Sequence, residues 1–344
     1  MPTKAQAWAF SRRSGIMTRI LRRLLSSIPV LILVLSGSFF LLNSASGDAV
    51  DAYLAAIGGG NAQQAAELRA SYGLDGSAWA RFGYYLSRLL QGDLGYSVAL
   101  NRPIASIIAE RLPATLALMG SATALSFLLG SILGILAGRR PGSWTDRLLS
   151  TGSLALYSIP SFWLGLVLAI LFAVKLRWFP VSGLETIASG KSGLARAGDI
   201  IWHLALPVAA LSMIYLALFL RMMRSGMIEA WHEDYTLAAK ARGLSDWRIT
   251  LNHAARNALL PLITMLGLQA ASMLGGSVVI ESVFGIPGFG RLAQEAVAGR
   301  DSALLLGIIL TSAVMVIIAN LAVDLAYGWI DPRIDTGQGA NVPK

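Results

Sequence analysis

Six long apolar runs dominate the chain and leave few folds open to it. A bilayer core about 30 Å thick is crossed by about 20 apolar residues in a helix. Such runs span Leu24–Leu42, Pro113–Gly138, Leu148–Ala173, Leu204–Leu220, Ala258–Ile280 and Ala303–Ile330. Within them the only formal charge near a centre is Asp324. Every backbone group in hydrocarbon must bond within its own segment, so each run is expected to be a helix. Gly130, Gly134 and Gly138 recur at intervals of four, the spacing that lets two helices approach closely in lipid. The expected fold class is an all-α integral membrane protein with six transmembrane helices.

Composition agrees. Of 344 residues, 55% are hydrophobic and 14% charged, against about 25% charged in soluble domains. That excludes an ordinary soluble enzyme, a disordered chain and a nucleic-acid binder. There is no cysteine, hence no disulfide framework or zinc-thiolate site.

The net charge of +9 becomes informative once the chain is threaded through a bilayer. With the N-terminus in the cytoplasm, the inside segments are 1–23, 139–147, 221–257 and 331–344. They hold 17 Lys and Arg against 11 outside, and their net charge is +10 while the outside nets to zero. The basic excess lies on one side, as the positive-inside rule requires, so both termini are expected in the cytoplasm. The first run follows a basic lead (Arg12, Arg13, Arg19, Arg22, Arg23). At about 19 residues it exceeds the 7–15 of a signal-peptide core and is read as a retained helix.

The expected organisation is therefore a basic N-terminus (1–23), a first span (24–42), an external loop or small subdomain (43–112), a membrane core (113–330) and a C-terminal tail (331–344). In the external loop, Gly58–Gly60 precedes two helix-like stretches, Asn61–Tyr72 and Trp79–Leu90. Further outside loops fall near 175–203 and 281–301, the latter with the turn-rich stretch Phe284-Gly-Ile-Pro-Gly-Phe-Gly290.

The long inside segment, 221–261, carries most of the functional signal. Ile228, Trp231, Tyr235 and Ala239 fall on one helical face. Gly243 is placed to end that helix with a left-handed residue, with Arg242 at its carbonyl end. Ser245 is placed as the N-cap of a second helix, and Pro261 marks entry to the next span. A bare amphipathic loop on lipid headgroups is the simpler alternative, but Ala238, Ala239 and Ala241 leave room for a partner to pack close.

This segment, Asp234-Tyr-Thr-Leu-Ala-Ala-Lys-Ala-Arg-Gly243-Leu-Ser followed by His253, Arg256-Asn257 and Leu260-Pro261, resembles the cytoplasmic signature loop of ABC-transporter permeases of the dipeptide, oligopeptide and nickel family. The resemblance runs along nearly the whole chain. Gly92-Asp-Leu-Gly95, Glu110-Arg-Leu-Pro-Ala-Thr-Leu116, Ser158-Ile-Pro-Ser-Phe-Trp-Leu164, Phe179-Pro-Val-Ser-Gly183, Glu281-Ser-Val-Phe284, Pro287-Gly-Phe-Gly290 and Asp331-Pro-Arg333 follow in order. Each is weak alone; together, spaced around six spans, they are specific. The general signature begins Glu-Ala-Ala, and here Leu237-Ala238-Ala239 stands in that place, a departure shared by the peptide-type subfamily.

The resemblance implies a type I importer permease, bacterial and resident in the inner membrane. It implies a second, homologous permease as heterodimer partner, two ABC ATPase subunits that bind ATP and magnesium, and an extracytoplasmic substrate-binding protein. No cofactor would be bound by this chain and no catalysis performed by it. Asp234, Tyr235, Ala238, Ala239, Ala241, Arg242 and Gly243 would form the loop that couples to the ATPase. Tyr235 would be an aromatic anchor, Ala239 and Ala241 would permit close approach, and Arg242 would pair with an acid. Peptides are the first expectation as substrate, with nickel, glutathione-like compounds and oligosaccharides as alternatives.

Other features carry less. Glu281 and Arg291 are expected at the outer mouth, as a gate or a contact for the binding protein. Asn320 and Asp324 share one face of the last span, and an intramembrane acid is a functional candidate by default. Pairing of Asp324 with Arg333 is the favoured reading. Gly190-Lys191-Ser192 lacks the preceding glycine of a phosphate-binding loop. His203, His232 and His253 lack metal-ligand spacing. An ion-driven secondary transporter should show internal repeats, and none is evident. An intramembrane enzyme should show paired titratable groups inside the spans, and Asp324 stands alone there.

Overall fold

The computed structural model describes residues 4–44, 49–59, 61–71 and 76–330. In chain order the helices are α1 (Lys4–Asn43), α2 (Ala49–Ala56), α3 (Ala62–Ser71), α4 (Ala78–Leu90), α5 (Ile104–Arg139), α6 (Trp144–Ser158), α7 (Ser161–Leu168), α8 (Gly193–His232), α9 (Asp234–Ala241), α10 (Asp246–Ile249), α11 (Ala255–Val283), α12 (Phe289–Ala298) and α13 (Ser302–Ile330). Two π-helical stretches, Ala169–Lys175 and Thr250–Ala254, continue α7 and α10. A short antiparallel pair, β1 (Tyr96–Ser97) and β2 (Arg102–Pro103), precedes α5.

Helix occupies every predicted span. Among the described residues, four helices are long and apolar enough to cross a membrane, within α1, α5, α8 and α13. The third predicted span is not one straight helix. α6 and the α7 segment meet at an angle of 100° and make a fifth crossing only as a bent pair. Pro160 explains the break. It bars the helical conformation at Ile159, whose ψ is 128°, and cannot itself donate to the α6 ladder. The fifth predicted segment lies in α11, where several side chains fall outside the described residues. The fourth run differs in length, since α8 extends 12 residues past Leu220. Hydropathy marks only the part of a helix that meets lipid.

The chain divides into two compact units. The first comprises residues 1–111 and 292–321. Here α2 and α3 are joined by the Arg69–Asp51 ion pair and by apolar contacts of Val50 and Val98 with Tyr53, Leu54 and Leu68. Asn61 and Gln64 cap α3 reciprocally: each side chain accepts the other's backbone N–H, at 2.8 and 3.1 Å. α4 lies on α1 through aromatic rings, Phe40 to Trp79 at 4.6 Å and Phe39 to Phe82 at 5.1 Å. Burial beside these rings pushes the Tyr85 hydroxyl up to about 12. Asp301, 1% exposed, joins both ends of this unit. It accepts Leu304 N–H at 3.0 Å as a cap for α13, and the Ser97 hydroxyl and Ala99 N–H at 2.6 and 3.2 Å.

The second unit comprises residues 112–291 and 322–344. Its central helix is α8, packed on α6, α7 and α11. The glycine stripe meets α8: a Cβ on Gly130, Gly134 or Gly138 would lie 2.6, 2.5 and 2.5 Å from the Cβ atoms of Phe219, Met223 and Met227. These three partners are fully buried. In lipid such packing stabilises by van der Waals contact, since hydrocarbon solvates an apolar side chain as well as protein does. Asp146, 3% exposed, caps the Gly142 turn through its N–H at 2.8 Å and pairs with Arg224 of α8 at 2.5 and 2.9 Å.

Candidate functional site

The predicted loop forms its own short helix. Ile228 and Trp231 belong to α8, while Tyr235 and Ala239 belong to α9, so they do not share a single helical face as expected. The break is at Glu233, in extended conformation with ψ 148°. Thr236 holds the two parts together. Its hydroxyl donates to Ala230 O at 2.7 Å, and the residue is fully buried. Ala239, also fully buried, is the second inward contact of α9.

The opposite face is displayed. Asp234, Leu237, Ala238, Ala241 and Arg242 are exposed, and Tyr235 is half-buried. Ala239 therefore serves packing within the chain, and the small residues open to a partner are Ala238 and Ala241. Leu237, 53% exposed, adds an apolar group that the sequence reading missed. Its place in the middle of the signature was the available signal.

Gly243 ends α9 as the sequence predicts. Its φ is +76°, its N–H donates to Lys240 O at 2.9 Å, and Leu244 N–H donates to Ala239 O at 3.3 Å. This is the paired closure of a Schellman cap, with Arg242 as the cap residue. No atom lies within 4 Å of the position of a Cβ there, so glycine is required by the backbone angle. Ser245 is at the N-cap of α10 in extended conformation but makes no side-chain cap bond. His253 sits in the π-helical stretch that follows. Such bulges recur at functional sites.

Two cation–ring contacts brace the loop. Arg139, at the end of α5, lies over Trp247 at 4.7 Å, and Lys240 lies over Trp231 at 4.6 Å.

Motifs far apart in sequence meet at a second place. Glu281 is fully buried at the end of α11. Its carboxylate accepts the Thr115 hydroxyl at 2.6 Å and Arg291 N–H at 2.8 Å, while Thr115 Oγ1 accepts Phe289 N–H at 2.7 Å. The glycines of Pro287-Gly-Phe-Gly290 make room: a Cβ on Gly288 would collide with the Glu281 carboxyl group, and one on Gly290 would be 2.8 Å from Val278 Cα. Gly183 N–H donates to Phe284 O at 2.9 Å, and Gly165 lies against the Phe284 ring. Glu281 is thus an internal tie and not a displayed group; Arg291 is half-exposed. Thr115 was inside a recognised motif, yet nothing local marked it as the partner of Glu281.

The remaining candidates stay apart from these places. Asn320 is exposed, and the Asp324 side chain, like Asp331-Pro-Arg333, lies outside the described residues. Lys191 pairs with Asp199 at 2.5 Å. His203 Nδ1 and His232 Nδ1 each contact a backbone carbonyl four residues back, both at 2.8 Å. No group of metal-ligating side chains occurs among the described residues.

Comparisons with known proteins agree with this architecture. The family model for the binding-protein-dependent transport system inner membrane component matches residues 130–336. The oligopeptide transport system permease protein AppB of Bacillus subtilis is 36% identical across 92% of this chain and 98% of its own length. y4tP of Sinorhizobium fredii, provisionally named as a peptide ABC transporter permease, is 37% identical over the same shares. A chain of the MetNI methionine ABC transporter in an inward-facing conformation superposes with a TM-score of 0.54, at 17% identity, over 66% of this chain and 97% of its own. That likeness concerns fold alone. On the family match and the near full-length relatives, the chain belongs to the family of binding-protein-dependent transport system inner membrane components, as a multi-pass membrane protein of an ABC transporter.

Proposed function

We propose that this chain is one of two permease subunits of an ATP-driven peptide importer and forms half of the translocation pathway. The peptide assignment is supported by the names of AppB and y4tP. In this reading six spans cross the membrane with both termini in the cytoplasm, residues 43–112 form an external subdomain, and 113–330 form the permease core. A second permease, two ATPase subunits and an external binding protein complete the machine. ATP and magnesium are bound by the ATPases.

The observation that carries the reading is α9. It is an eight-residue helix, separated from α8 at Glu233, fastened by Thr236 and Ala239, and exposed along Asp234, Leu237, Ala238 and Arg242. A rigid, short helix with a small-residue face and charges at both ends suits insertion into a groove on an ATPase. Aromatic anchors dominate interface energy, and Tyr235 is placed for that role. ATP-driven closure would shift the permease through differential affinity for its two states. Co-purification of the ATPase with Gly243→Arg and Asp234→Arg chains tests the docking, with ATP-dependent peptide uptake as second readout. Both variants should lose both. Wild-type values for either would remove α9 from the coupling role.

A further inference from the structure

A cleft of about 610 Å³ lies between the end of α5 and α9, walled by Arg139, Arg140, Trp231, His232, Lys240 and Asp246. Three of these are basic side chains against one carboxylate. Arg139 and Lys240 rest on indole faces. Among the described residues, none of the three cations has a carboxylate within ion-pair distance. Positive charge held by rings remains available to a ligand. Arg139 Nε and Trp231 Nε1 are also buried N–H donors without an acceptor among the described residues. The site is rich in donors and poor in acceptors.

Its depth is set by α5. The apolar run of α5 ends at Gly138 and Arg139 begins the polar turn, so the cleft opens at the level where α5 leaves hydrocarbon. Trp144 and Trp247, 79% and 44% exposed, are of the residue type that collects at this level. Ile228 and Leu237 give the cleft an apolar wall beside its cationic one.

We propose that this cleft binds the phosphate headgroup of an anionic membrane lipid. Basic pockets at the ends of spanning helices hold such headgroups by charge-assisted hydrogen bonds. The phosphate supplies acceptors to Arg139, Arg140 and Lys240, and the glycerol region meets Ile228. Lipid bound here would brace the base of α9.

The test uses the purified full chain in phosphatidylcholine nanodiscs doped with phosphatidylglycerol, with retained lipid counted by native mass spectrometry. Phosphatidylglycerol should be kept in preference to phosphatidylcholine. Arg139→Gln with Arg140→Gln should lower that preference roughly thirtyfold, from two lost cation contacts, while Arg139→Lys with Arg140→Lys should keep most of it. Lys240→Gln, at an exposed helix position, should lower it in part and covers the case in which the double variant misfolds. Equal retention of the two lipids by the wild type, or an unchanged preference in the glutamine variants, would overturn the proposal. Displacement by equimolar inorganic phosphate would assign the cleft to free phosphate instead. If the double glutamine variant lost the ATPase while keeping lipid, the cleft would belong to the docking surface. Asp234→Arg, at a residue outside the cleft lining, should leave lipid retention intact, which separates failure here from failure of the coupling reading.

Discussion

Gly134 of α5 faces Met223 of α8 so closely that a Cβ on the glycine would stand 2.5 Å from the methionine Cβ and 2.8 Å from Leu220 O. The contact is made by backbone and Cβ atoms, which cannot rotate away. Gly134→Ala should therefore force the helices apart at a cost of about 1–3 kcal/mol. Met223→Ala, which retains the Cβ, should not rescue it. Thermal unfolding of the purified protein in detergent measures both. Rescue by Met223→Ala would show that the long side chain, and not the helix spacing, sets the fit.

Glu281 is predicted to act through its acceptors. Glu281→Gln replaces one carboxylate oxygen with a donor, facing either the Thr115 hydroxyl or Arg291 N–H. The expected loss is about 1–3 kcal/mol, the cost of a buried polar group left unpaired. Thr115→Val should cost a similar amount, and the double variant less than the sum, because both act on one hydrogen-bond network. Full additivity in unfolding midpoints would contradict the shared network.

Thr236→Val keeps the shape of the side chain and removes the bond to Ala230 O. The outer face of α9 is untouched. Global stability should fall by about 1 kcal/mol, while hydrogen exchange across 234–243 speeds up and ATPase co-purification weakens. Unchanged exchange in that segment would show that Ala239 packing alone holds α9.

In the Gly92–Gly95 turn, the Arg88 guanidinium and then Gly95 N–H hold the Asp93 carboxyl below the usual carboxylate range. A depressed folded pKa means that the turn gains stability above the unfolded value, about 3.9, and loses it as pH falls through the lower folded value. Proteolytic nicking near this turn should rise with acidification, and Asp93→Asn should make nicking independent of pH over that window. The pair is largely exposed, so the effect is local. A pH-dependent Asp93→Asn protein would transfer the effect to another carboxylate.

Several features could be read from local sequence because their causes are local. Hydropathy located the lipid-facing helices, since burying backbone in hydrocarbon allows little else. Gly243 stopped α9 through its backbone angle, and Asn61 opened α3 as a cap. The Ser158–Pro160 break is equally local: Pro160 marks it, although hydropathy runs on unbroken across it. Hydropathy does not show the end of α8, because polar residues continue that helix beyond the membrane.

What the sequence by itself determined was the number of apolar segments, the sidedness of charge, the glycine spacing and the order of the motifs. Tertiary structure decided which residues meet. Glu281 with Thr115, Asp146 with Arg224 and Gly134 with Met223 are each separated by at least 78 residues. Only packing shows that Glu281 is an internal tie and that Ala239 faces inward while Ala238 faces out. A periodic pattern gives the faces of a helix, but the neighbour that covers each face is chosen by contacts between segments remote in the chain.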